Sequence, residues 1–129
     1  MRGIFGAVAG AVALLGATAG GAAARGAAVF ANNCAACHQA NGKGIPGAFP
    51  ALAGDKFVTG DPRAVALTLL NGRGGMPAFA EVLKDDELAA VANYIRSTWG
   101  NKAAPVPPAL FAAGRKGGKA ILSRPIPAH

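Results

Sequence analysis

Cysteine is nearly missing from this chain: two residues in 129, three apart, at Cys34 and Cys37. A bridge between them would close a loop too short to stabilise a fold appreciably, which excludes a disulfide scaffold. Histidine is as scarce, at His38 and His129. A four-ligand zinc site would have to combine the adjacent Cys37 and His38, which leave one turn in different directions, with the last residue of the chain. No segment alternates like a strand, whereas a thioredoxin-type dithiol expects its Cys-x-x-Cys beside a βαβ pattern. Acidic side chains stop at Glu87, so the formal net charge of +7 is uneven. Residues 25–100 carry seven basic and six acidic side chains; residues 101–129 carry five basic and no acidic ones. Basicity confined to one end argues against nucleic-acid binding, which needs it on a structured face.

Three regions follow from composition. Residues 1–24 hold one charge, Arg2, and then a run of Ala, Gly, Val, Leu and Ile thinning to small residues. This is the anatomy of a secretory signal peptide with cleavage after Ala19 or Ala24. An uncleaved anchor is the alternative, since about 20 apolar residues can span a bilayer. Either way the domain is exported, placing it in a bacterial periplasm, with membrane contact only through an uncleaved N-terminal segment. Residues 25–100 hold the helical signals. Residues 101–129 carry five of the nine prolines and several glycines, which predicts an extended, flexible, basic tail.

Within residues 25–100, "RGAAVFANNCAACH" has high helix propensity and "QANGKGIPGAFPALAGD" reads as a loop. Asp61 then caps a helix with Pro62 at its first position, Val65, Leu67, Leu69 and Leu70 as apolar surface, and Asn71-Gly72 as its stop. After the loop "RGGMPAFAEV", the last helix bears Asp85, Asp86 and Glu87 in its first turn and Arg96 in its last, which suits the helix dipole. Leu88, Val91, Ala92 and Ile95 recur at i, i+3, i+4, i+7. The expected class is all-α. At about 75 residues such a domain is short of core and needs a staple.

A covalently attached c-type haem supplies that staple and explains the motif. Cys34 and Cys37 lie on one side of a helical turn, where each thiol can add to one haem vinyl group, and His38 follows as an axial ligand to the iron. Met76, on a loop between glycines and Pro77, is the candidate for the opposite position, since thioether and imidazole pair on haem iron. Its alternatives are His129 folding back or an open sixth position.

These residues resemble class I cytochrome c, the single-haem, His/Met-ligated family, over about residues 26–100. "CAACH" is similar to the haem attachment and "GMPAF" to the methionine-ligand loop. The resemblance implies a small fold of three to four helices around one haem. Gly26 and Phe30 resemble the Gly-x-x-x-Phe of the family's N-terminal helix, which implies close crossing at Gly26 by the last helix, whose aromatic position is Tyr94, and a Pro50 carbonyl that accepts the proton on the other nitrogen of His38. Lys84 departs from the usual Ser or Thr cap, which moves the helix start onto Asp85. "GIPGAFPALAGD" and "VANYIRSTWGN" are similar to the cytochrome c domains of periplasmic dehydrogenases and oxidases.

The expected function is a non-enzymatic one-electron carrier, linking a dehydrogenase or cytochrome complex as donor to an oxidase or other cytochrome as acceptor. Two alternatives stand beside it. One is a stably bound subunit of a dehydrogenase or oxidase, docked through residues 101–129; the other is a haem sensor or enzyme with an open iron. Arg73 and Lys43 read either as propionate contacts or as solvated surface charges.

Overall fold

The computed structural model describes residues 19–122. They form six helical segments: α1 (Ala19–Asn33), α2 (Ala35–His38), α3 (Lys56–Thr59), α4 (Pro62–Asn71), α5 (Asp85–Ser97) and α6 (Pro108–Leu122). α2 and α3 are single turns, so four longer helices carry the architecture. Among the described residues no strand occurs, only the isolated bridges Ile45↔Phe49 and Arg73↔Met76. The class is all-α. Most of the expected leader and His129 lie outside the described residues.

The central packing is between α1 and α5. Gly26 meets α5 so closely that a Cβ there would collide with the Ala90 carbonyl and stand 2.9 Å from Tyr94 Cβ. One turn on, Phe30 is buried against Tyr94 and Trp99, with ring centroids 5.4 and 5.1 Å away. Tyr94 and Trp99 meet edge to face at 5.7 Å. Such pairs add about 0.5–1.5 kcal/mol each beyond the area they bury. The stripe expected on α5 is the face that packs: Leu88, Val91, Ala92 and Ile95 are all buried.

Local signals set the helix ends. Asp61 accepts the Arg63 backbone N–H at 2.9 Å, with Pro62 at the first position of α4, and Gly72 ends that helix at φ +72°. Arg63 also bonds the Asp61 carboxylate and, with its charge, holds that carboxyl below its usual range. α5 begins at Asp85, behind Lys84. A lysine side chain has no acceptor to offer, and the reciprocal bond is made instead by Glu87, whose carboxylate accepts the Lys84 backbone N–H at 2.9 Å.

As far as residue 122, the expectation of a flexible tail from residue 101 is corrected by the fold. Residues 101–107 lie along α5, tied by Asn93, which donates to Val106 O (3.1 Å) and accepts from Val106 N (2.7 Å). Pro108 then opens α6, in a first helical position where a missing N–H costs nothing. Phe111 is completely buried, and Gly114 lets α6 approach α4, a Cβ there falling 2.6 Å from Leu70 Cδ1. Pro105 and Pro107 lie in the spacer and Pro108 starts the helix.

Truncating the anchor of α6 tests this. Phe111→Ala in the haem-loaded protein should lower unfolding stability by about 3–5 kcal/mol, the range for emptying a buried aromatic site. Equilibrium denaturant unfolding measures it; a detached tail would leave the midpoint unmoved.

Candidate haem-binding site

The two cysteines sit where α1 turns into α2. Cys34 N donates to Phe30 O (2.9 Å), continuing the α1 pattern, and Cys37 N and His38 N both donate to Cys34 O (3.1 and 2.9 Å). Both thiols thus belong to one turn, three residues apart. Burial first, and the neighbouring Cys37 second, push the Cys34 thiol up to about 11. A reactive redox dithiol needs the opposite shift.

His38 closes α2 and is buried at 9 % exposure. Immediately after it Gln39 takes φ +66°, an uncommon conformation for a residue with a side chain. The backbone therefore reverses at once, and Gly44 N returns to donate to His38 O (2.9 Å). Phe49 and Ile45 exchange backbone bonds at 2.8 and 2.9 Å, and Gly42 O accepts from both Leu52 N (2.7 Å) and Ala53 N (2.9 Å). Between those ties lies Pro50, its carbonyl 2.9 Å from His38 Nδ1. Gly44 has to be glycine here: at φ +62° a Cβ would run into the Phe49 carbonyl and stand 2.6 Å from that of Pro50. A carbonyl can only accept, so Nδ1 carries the proton and donates it to Pro50. Nε2 is left as the nitrogen with a free lone pair.

Two side chains from the end of α5 hold this loop, and sequence reasoning had assigned neither a role. Trp99 Nε1–H donates to Ala40 O (3.1 Å), and the Trp99 ring covers Gly42 so closely that a Cβ would sit 2.6 Å from it. Asn101 is buried; it accepts from Gly54 N (2.8 Å) and donates to Leu52 O (3.0 Å) and Ile95 O (2.7 Å). Arg96, read from the sequence as a helix-dipole residue, is 3 % exposed. Its guanidinium donates to the carbonyls of Val58 (2.7 Å), Gly60 (3.1 Å) and Ala104 (3.3 Å). Burial holds its pKa below the ordinary arginine value, against the partial support of Asp61.

Met76 comes from the loop between α4 and α5. Arg73 and Met76 exchange backbone bonds (3.2 and 3.0 Å), and beyond Pro77 the loop is tied back to α4 by Phe79 N to Leu69 O (3.0 Å) and Ala80 N to Leu70 O (3.3 Å). Met76 is half-buried, and it and Cys34 pack against the same apolar cluster. The Arg73 guanidinium lies over the Phe57 ring at 5.5 Å, while Lys43 is exposed.

The donor set fits a covalent haem. It offers two thiols on one turn, one imidazole with a single uncommitted nitrogen, and one thioether on a loop packed against the same core. Three large apolar side chains from the intervening segment, Ile45, Phe49 and Phe57, remain 39–42 % exposed, surface that a flat apolar group would cover. A cleft of ≈ 330 Å³ between Lys43 and Ala51 is lined by that loop alone and includes neither the cysteines nor Met76, so it is not the seat.

Comparison with known proteins agrees. Residues 21–95 match the family described as cytochrome c oxidase, cbb3-type, subunit III. The chain is 44 % identical over 96 residues to a cytochrome c-552 of Thermus thermophilus, covering 62 % of this chain and 64 % of that one. It is 38 % identical over 80 residues to cytochrome c6 of Diacronema lutheri, covering 60 % of this chain and 96 % of the relative. It is also 38 % identical over 96 residues to the cytochrome c subunit of a quinone alcohol dehydrogenase from Gluconobacter oxydans, covering 65 % of this chain and 20 % of that subunit. The chain belongs to the cytochrome c family, and one covalent haem c accords with its Cys-x-x-Cys-His spacing.

The geometry of the Met76 loop rests on Gly72. A Cβ there would collide with the Met76 carbonyl and stand 2.9 Å from Pro77 C, at a φ of +72° that disfavours any side chain. Gly72→Ala should therefore cost ~2–6 kcal/mol, the sum of strain in a backbone region open essentially to glycine and local overpacking. Thermal unfolding of the loaded protein measures the loss.

Proposed function

We propose that the protein is an exported one-electron carrier. The observation that carries this is the committed His38: with Nδ1–H donated to Pro50 O at 2.9 Å, its Nε2 is held as a ligand of fixed tautomer. When bound, the haem supplies reversible one-electron storage at its iron. Cys34 and Cys37 would tether it, and His38 and Met76 would supply its protein ligands. A thioether paired with an imidazole would favour a higher reduction potential than two imidazoles. Two protein ligands would keep substrates from the metal, which supports electron transfer over catalysis.

Electrons would pass at a small, transient docking surface around an exposed haem edge, framed by the glycine-containing loops next to the cysteine turn and Met76. The partners are redox proteins: a dehydrogenase or cytochrome complex as donor and an oxidase or another cytochrome as acceptor. The stably bound subunit is the second reading, supported by the dehydrogenase relative. Its expected docking element is weakened, however, because α6 is already spent on packing within the chain. Co-purification of a large partner would favour the subunit.

A periplasmic location is part of the proposal. Residues 20–25 of α1 are exposed and the core begins at Gly26, so cleavage after Ala24 would remove no packed side chain among the described residues. No described helix is long and apolar enough to cross a membrane.

The test is the visible and near-infrared spectrum of protein matured with its haem. A covalent c-type spectrum with a methionine-to-ferric charge-transfer band, lost in Met76→Ala, is the expected result, together with resistance of the reduced wild type to carbon monoxide. A high-spin wild type without the band would overturn the closed site and turn attention to an open iron.

A further inference from the structure

We infer that Arg115, on α6, is a positioning residue for the Met76 side of the site. This inference rests on Met76 being an axial ligand. Arg115 makes three bonds, all to one short segment. Nε donates to Asp85 Oδ1 (2.7 Å), Nη2 to Leu83 O (2.8 Å) and Nη1 to Ala80 O. That segment is the continuation of the Met76 loop and runs into the start of α5. The planar fork is what allows one side chain to hold two carbonyls and a carboxylate together.

The same stretch is also tied to α4, against which α6 packs. Phe79 N and Ala80 N bond the carbonyls of Leu69 and Leu70 at the end of α4. Gly114, adjacent to Arg115, lies against the Leu70 side chain, with Leu67 alongside. α6 thus grips the loop directly through Arg115 and braces α4, to which the loop is tied. On the histidine side it is Trp99 and Asn101, at the end of α5, that do the holding. The consequence is specific: loosening Arg115 weakens the hold on methionine while leaving the His38–Pro50 arrangement intact. How often the methionine yields its place to a competing ligand then depends on the Arg115 fork.

The experiment uses the full-length, haem-loaded protein as wild type, Arg115→Gln, Arg115→Lys and Val29→Ala. The last empties part of the α1–α5 core, where Val29 is buried, and serves as a control for general destabilisation. Each ferric protein is titrated with imidazole, read as loss of the methionine charge-transfer band, and melted in parallel. Arg115→Gln should bind imidazole roughly tenfold more tightly than wild type, with Arg115→Lys between them because it keeps a charge for Asp85 but loses the fork. Val29→Ala should stay within about twofold of wild type despite a lower melting temperature. Imidazole affinity of Arg115→Gln within about twofold of wild type, or a gain matched by Val29→Ala at equal stability, overturns the inference. If Arg115→Gln fails to accumulate with haem, Arg115→Lys is judged by the same criteria. A wild type without the band removes the Met76 reading itself, and is seen before any titration begins.

Discussion

The close crossing of α1 and α5 at Gly26 is the constraint on which the rest depends. Because the helices touch backbone to side chain there, their C-terminal ends run side by side. α1 leads into the turn of Cys34 and Cys37; α5 leads into Trp99 and Asn101. Those two residues then reach the loop that follows His38. A larger residue at position 26 would pry the helices apart and move both ends together, since Ala90 and Tyr94 are what it would displace. The site is remote from Gly26 in sequence terms, yet its position is set by that contact.

The loop between α2 and α3 shows how a domain poor in large side chains still specifies a geometry. It uses backbone bonds and positive-φ residues in place of packing: Gln39, Gly42, Gly44, Gly47 and Gly54 all lie at positive φ. Left unpaired, the carbonyl of buried Gly42 would cost about 1–3 kcal/mol, and the bonds between the more exposed Ile45 and Phe49 narrow the remaining paths. What they fix is a single carbonyl, that of Pro50, at the distance His38 needs. Orientation of the imidazole thus rests on backbone bonds within the loop, braced from outside by Trp99 and Asn101.

Much of this was legible in the sequence, and the reasons differ by residue. The α4 start could be read from Asp61-Pro62 and the α5 face from its apolar spacing, because both are local patterns. The cysteines, His38 and Met76 stood out because their residue types are rare in this chain. Placing Pro50 needed a family resemblance, since no local rule ties a loop carbonyl to a histidine twelve residues earlier. Arg96 and Asn101 were missed because both bond carbonyls distant in sequence, and a buried polar side chain looks like an exposed one in a string of letters. α6 is hidden by composition: a basic stretch rich in proline and glycine has low helix propensity, and Pro108 at the helix start is its main local signal.

On the proposed ligation, the two candidate ligands are supported by different parts of the chain: His38 by α1, α2 and the residues just after α5, Met76 by α4 and α6. The stretch that matches the family ends at residue 95. Trp99 and Asn101 fall just past it, whereas α6 lies wholly beyond. An imidazole orientated by a backbone carbonyl must be set by a loop that is itself rigid, because a small shift of Pro50 would lose the bond. A thioether on a flexible side chain tolerates more movement, and its retention depends on how firmly the loop is held rather than on one atom's direction. On the proposed ligation, α6 thus reinforces the side where rigidity is least supplied by the ligand itself.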